Sequence, residues 1–152
     1  MTKISELLKL NDNSIRLNIP EQTWRKALGS ATVDKTVCIR HSAIAGDASF
    51  RTHVAAIPSR VNCHVHQKGR EIYEIVEGKG VLRYGQASKT RKGFEVNWAE
   101  PLPVKQGDCF VIPEGYAHQL VNQGNKELII LFGCPDSHLD TNQDRAMLQD
   151  HD

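Results

Sequence analysis

The chain lacks a long apolar run, a charge excess of either sign and any closely spaced pair of cysteines. Each shortage excludes something. A membrane-spanning helix needs roughly 20 consecutive apolar residues, and a secretory leader needs a shorter apolar core. The opening MTKISELLKLNDNSIRL supplies neither, so a soluble, cytoplasmic protein with no membrane partner is expected. Lysine and arginine total 19 against 18 aspartate and glutamate, which leaves no basic field to hold a phosphate backbone. Nucleic acid is therefore not an expected partner. Cys38, Cys63, Cys109 and Cys134 are scattered without a C-x-x-C, which fits neither a zinc ribbon nor a disulfide framework. They read as reduced thiols packed as small hydrophobes.

What is present is a succession of short apolar runs rich in β-branched and aromatic residues, punctuated by glycine and proline. TVCIRHSAI (36–44), SFRTHVAAI (49–57), EIYEIV (71–76), GVLRYG (80–85), DCFVI (108–112), HQLVN (118–122) and ELIILFG (127–133) all qualify as strands. Many short strands with turns between them predict an all-β sandwich or barrel. Helix is expected only towards the ends, at ISELLKL, at PEQTWRKAL (20–28) and at TNQDRAMLQ. At 152 residues the chain can bury one substantial core. The expected organisation is an N-terminal extension packed on the barrel (1–35), a β-barrel (36–135) and a partly helical C-terminal tail (136–152).

ELIILFG is apolar on both alternating faces, and in EIYEIV the residues Ile72, Glu74 and Val76 form a half-apolar face opposite Glu71, Tyr73 and Ile75. A strand wet on one side would not read this way. Either a second sheet or the N-terminal arm covers the extra faces, or a homodimer interface does. A homodimer is the expected assembly.

The stretch HVHQKGREIYEIVEGKG (64–80) carries the first chemistry. Alternate residues of a strand share a face, so His64 and His66 project together and form a two-pronged chelate. A turn at QKGR then lets Glu71 open the next strand towards the same point. A second stretch, GDCFVIPEGYAHQLVN (107–122), adds His118 just after a Pro-Glu-Gly turn, where Pro113 fixes the backbone and Gly115 accepts positive φ.

These two stretches resemble the paired motifs of the cupin family, G-x5-H-x-H-x3,4-E-x6-G and G-x5-P-x-G-x2-H-x3-N. The second is matched at Gly107, Pro113, Gly115, His118 and Asn122. The first is matched from His64 through His66 and Glu71 to Gly78, with Pro58 in place of the leading glycine, a departure in a turn and not at a ligand. The resemblance covers residues 49 to 133. It implies an all-β, cupin-type double-stranded β-helix (jelly-roll barrel) in which His64, His66, Glu71 and His118 bind one divalent metal. It also implies structural roles for Gly115 and Asn122. Lys79 to Gln106, between the motifs, is long, and its GQASKTRKGFEVNW predicts an extended hairpin.

Three imidazoles and a carboxylate suit manganese, iron, nickel, cobalt or zinc. Four ligands on an octahedral ion leave two positions for water or for a small polar substrate with adjacent oxygens. The leading expectation is isomerisation, epimerisation or elimination on a sugar or keto-acid-like molecule. An iron-dependent dioxygenase and a non-catalytic small-molecule-binding cupin are the alternatives. Candidate substrate contacts are Arg51, His53, Arg60, Asn62, Tyr73 and Tyr84, with Arg60 and Asn62 sharing the parity of His64 and His66 if that strand runs unbroken after Pro58. His41, His138 and His151 lie outside both motifs and carry no assigned role.

Overall fold

A computed structural model describes residues 15–139 and 144–148. Among these residues helix α1 (Glu21–Leu28) is followed by twelve strands: β1 (Thr32–Asp34), β2 (Ile39–Asp47), β3 (Phe50–Ile57), β4 (His64–His66), β5 (Glu71–Glu77), β6 (Lys79–Thr90), β7 (Gly93–Trp98), β8 (Leu102–Lys105), β9 (Cys109–Ile112), β10 (Tyr116–Asn122), β11 (Leu128–Cys134) and β12 (Arg145–Met147). They form two antiparallel sheets. One runs β1-β2-β3-β11-β5-β9; the other runs β12-β4-β10-β6-β7, with β8 also paired to β6.

The seven predicted strands all lie on observed ones, and the predicted hairpin is the β6–β7 pair, joined through Thr90↔Gly93. The predicted helix at 20–28 begins one residue later, with Pro20 accepting the Thr23 and Trp24 N–H bonds through its carbonyl. ISELLKL lies outside the described residues. Of TNQDRAMLQ only residues 144–148 are described, and there the expectation of helix is corrected: Arg145–Met147 pair with His64–His66 as β12. That short exposed strand edge of β4 captured a segment whose own sequence favours helix, because each ladder bond satisfies a backbone group that β4 would otherwise leave open.

The interior core lies between the sheets, with Ile57, Ile75, Leu82, Phe110, Leu120, Leu128 and Ile130 among its fully or nearly fully buried members. The second apolar face of β11 has its own cover. Ile129 and Leu131 pack with Val54 and Ala56 beneath Trp24 of α1, joined by Leu17 and Ile19. Val76 belongs to this outer layer, while Glu74 accepts the Leu17 N–H at 3.0 Å. The N-terminal arm therefore explains why β5 and β11 read as apolar on both sides.

Two motif turns interlock at one end of the molecule. Gly69 (φ 81°) and Gly115 (φ 79°) both occupy the left-handed region. Gly115 donates to the His66 carbonyl at 2.8 Å, and the Gly69 N–H donates to Glu114 Oε2 at 2.9 Å. Asn122 ties the opposite end: its side-chain amide donates to the carbonyls of Ile57, Pro58 and Lys126 and accepts from Gly124 N–H. Among the described residues no helix is long and apolar enough to cross a membrane, and none of the four cysteines is in a disulfide.

Candidate metal centre

Strand register assembles the site. His118 on β10 lies directly opposite His64 on β4, so the two rings come to 4.4 Å between centroids. His66, two residues along β4, shares their face, and its ring lies 4.9 Å from that of His64. Glu71 opens β5 on the facing sheet after the Gly69 turn, and its Oε2 lies 3.1 Å from His66 Nε2 and 3.4 Å from His118 Nε2. All four side chains are buried, and their ligand atoms lie within 4.8 Å of one another.

The imidazoles are aimed from behind. His64 Nδ1 lies 2.7 Å from the Asn62 carbonyl and His118 Nδ1 3.1 Å from the Tyr116 carbonyl. Each Nδ1 thus carries the proton and donates it to the backbone, leaving Nε2 as a lone pair directed inwards. Burial, with the neighbouring rings of His118 and His66, keeps His64 well below the usual imidazole range; burial also lowers His66. Burial works against a charge on Glu71, but His66 and His118 outweigh it and hold the carboxyl well below its ordinary range.

His66 Nε2, His118 Nε2 and Glu71 Oε2 are buried without hydrogen-bond partners. Such atoms cost roughly 1–3 kcal/mol each when left unsatisfied, more when charged. Converging lone pairs beside one buried carboxylate are what a cation relieves, so this donor set fits a divalent metal held by His64, His66, Glu71 and His118.

A narrow cavity of about 30 Å³ reaches the group, with room for a water or two. Tyr73, two residues along β5 from Glu71, lines it, as do His41, Asp34 and Arg145. Burial and then the Glu71 charge push the Tyr73 phenol well above its usual range, so it stands as a neutral donor. Arg145, opposite His66 across the β12 ladder, is paired with Asp34 at 3.0 Å.

Of the six candidate substrate contacts, only Tyr73 lines this cavity. Arg51 is engaged by Asp136 at 2.9 Å, and His53 is stacked on Phe132 at 4.8 Å within the facing sheet. Asn62 donates to the Thr36 carbonyl at 3.0 Å, and Tyr84 is fully buried in the core. Arg60 is exposed, because β4 begins only at His64 and the parity argument fails across the irregular segment after Pro58.

Four polar lining residues had no assigned role in the sequence: His41, Asp34, Arg145 and His138. His138 is fully buried and lies parallel to His66, with ring centroids 3.9 Å apart and 3° between planes. It comes from the tail, outside both motifs, and no local pattern marks it. Cys134 is also fully buried next to this group, and here a signal existed. Alternation from Leu128, Ile130 and Phe132 carries Cys134 inwards.

A family model described as Cupin matches residues 45–149. The chain belongs to the cupin family. An uncharacterized protein of Methanocaldococcus jannaschii is 32% identical to this cupin over 95 residues, which are 61% of this chain and 66% of the relative. Among solved structures, CapF bound to the inhibitor 3-isopropenyl-tropolone superposes with a TM-score of 0.59 at 22% identity, over 79% of this chain and 34% of that one. Oxalate decarboxylase of Bacillus subtilis, described with Mn(II) centres, gives 0.53 at 13% identity, over 78% of this cupin and 29% of its own chain. A single-residue variant of Streptomyces PAC13 with uridine gives 0.57 at 13%, covering 80% and 87%. This cupin thus spans just under two thirds of the curated relative and about a third of CapF.

Proposed function

We propose that this cupin is a divalent-metal enzyme acting on a small polar substrate of sugar or keto-acid type by isomerisation, epimerisation or elimination. One observation carries the reading: three buried imidazoles and a buried carboxylate converge at the end of a cavity, with His66 Nε2, His118 Nε2 and Glu71 Oε2 left without partners. An ion held by His64, His66, Glu71 and His118 would polarise a substrate carbonyl or hydroxyl and ease loss of a neighbouring proton.

The chain's own groups support that chemistry. Tyr73 offers a neutral hydroxyl beside Glu71, able to donate to a developing oxyanion. His41 lies in the cavity wall 3.7 Å from Asp34, and burial lowers its affinity for a proton, so it stands ready as a neutral acceptor. Arg145 adds fixed positive charge that suits an anionic substrate edge. In this conformation the cavity admits a water or two, so a sugar-sized molecule needs its wall to give way.

The test begins with tag-free protein purified without chelator. Its metal is quantified, and hydroxy-ketones, keto acids and diols are screened for proton exchange into solvent deuterium oxide and for oxygen uptake. Metal-dependent deuterium incorporation without oxygen consumption is the expected result. Substrate-dependent oxygen uptake on iron would replace the proposal with a dioxygenase, and saturable binding with no exchange would replace it with a binding module.

A further inference from the structure

We propose that Glu71, Cys134 and His138 form a second ion subsite, sharing the Glu71 carboxylate with the first and selective for a thiophilic divalent ion such as zinc or cadmium. It touches the preceding reading only through Glu71. The three side chains are buried and their ligand atoms lie within 4.8 Å of one another. Metal–ligand bonds of roughly 2.0–2.3 Å bring such a set onto one ion with a small side-chain adjustment.

Backbone register places the thiol. Phe132 pairs with Tyr73 and Gly133 with Ile72 across β11 and β5, and one more step sets Cys134 level with Glu71. Phe132 and Tyr73 face the interior, so two residues beyond each, Cys134 and Glu71 do as well. His138 arrives from the 3-10 helix Asp136–Leu139. Its Nε2 lies 2.6 Å from the Lys68 carbonyl and donates there, which leaves Nδ1 as the bare nitrogen; Nδ1 is buried without a partner.

The stack of His66 on His138 keeps the two rings from sharing one ion. An imidazole binds a metal in its own ring plane, and these planes are parallel within 3° at a centroid separation of 3.9 Å. One ion cannot lie in both planes, which eliminates a single site built from His66, His138 and Asp144. Asp144 is in any case occupied by the Gln67 and Lys68 N–H groups. Two ions, one per plane, would be kept apart by at least the gap between the stacked rings, which is compatible with the roughly 3.5–4 Å of two-metal centres. Glu71 Oε2 faces His66 and His118, and its other oxygen is the natural bridge. A thiolate among the ligands favours soft ions, and its proton leaves to solvent as the ion binds.

The test is titration of metal-stripped protein with Cd2+ in a Cys38→Ser background, which removes the exposed thiol. The readouts are bound cadmium per chain and the ultraviolet thiolate-to-cadmium charge-transfer band. Two ions per chain and a strong band are expected. Cys134→Ser should abolish the band and leave one ion, with circular dichroism unchanged, and His138→Gln should weaken the second step at least tenfold. His118→Ala should weaken the first step and keep the band, which separates failure of the first site from failure of this one. One ion per chain with no band, or a band that survives Cys134→Ser, would overturn the subsite.

Discussion

His64, His66 and His118 gather around Glu71 on β4 and β10, whereas His53 lies on the facing sheet against Phe132, with His41 edge-on to both rings. Both groups are largely buried, and both contain ring nitrogens without hydrogen-bond partners. They differ in what shares the space. The first has a buried carboxylate within 3.4 Å of two Nε2 atoms; around His53, among the described residues, no three ligand-bearing side chains gather. Burial and bare nitrogen alone produce only a reluctant base, driven to about pKa 4 at His53 by desolvation and then by His41. A buried negative charge and converging lone pairs are what turn histidines into a cation site.

The sharpest way to break that contrast is to remove the charge while keeping the shape. Glu71→Gln should eliminate stoichiometric binding at the first site, and His118→Ala should do the same by removing a lone pair. The loss should exceed the roughly 100-fold seen for disturbing a ligand's hydrogen-bond partner. In the wild type, metal at 100 times its Kd should add about 2.7 kcal/mol to unfolding free energy. With Mn2+, a hard ion that the thiolate-bearing subsite does not favour, that increment should vanish in both variants, measured by urea denaturation with and without metal. A metal-dependent shift that persists in Glu71→Gln would mean the carboxylate is not a ligand.

Phe132→Ala probes the other group. Phe132 is 3% exposed, stacks on His53 and contributes to the cavity wall. Truncating a buried phenylalanine costs about 3–5 kcal/mol. Metal affinity should stay within a few-fold of wild type, because the ring supplies no ligand and the β4–β10 register does not depend on it. Isothermal titration with Mn2+ or Zn2+ alongside denaturation checks both halves.

The same contrast separates what was legible in the sequence from what was not. His64, His66 and Glu71 are local: a period of two and a glycine turn are enough to turn them, from facing sheets, towards one point. His118 needed the second motif, since its approach depends on the β10–β4 register that no single segment encodes. The tail defeated both kinds of reasoning. TNQDRAMLQ reads as helix by propensity, yet Arg145–Met147 complete the edge of β4, and only this non-local pairing brings Arg145 opposite His66. Arg60 and Asn62 stand off the cavity despite their expected inward parity for a different reason: parity holds only while a strand is continuous, and β4 is three residues long. His53 stands off the cavity for a third reason. Phe132 of β11 lies directly opposite it in the ladder, stacks on its ring and stands in the cavity wall.

The smallest expected effect is the pH dependence that His53 confers on stability. Its folded pKa of about 4 lies below the unfolded value near 6.5, so between those limits the unfolded chain binds more protons than the native one. The contribution is therefore full above about pH 6.5, erodes as pH falls, and is gone below about pH 4. With allowance for partial solvent access, roughly 2 kcal/mol is at stake. His64 and His66 are lowered in the same direction, so the wild-type slope mixes several groups. Subtracting the variant isolates one. His53→Phe keeps an aromatic ring against Phe132 and removes the titration, so metal-free urea curves at pH 7.5 and 4.5 should differ by less in the variant than in the wild type. Equal differences in the two proteins would show that His53 is not buried as a neutral ring, and the two groups of histidines would then differ in burial as well as in charge.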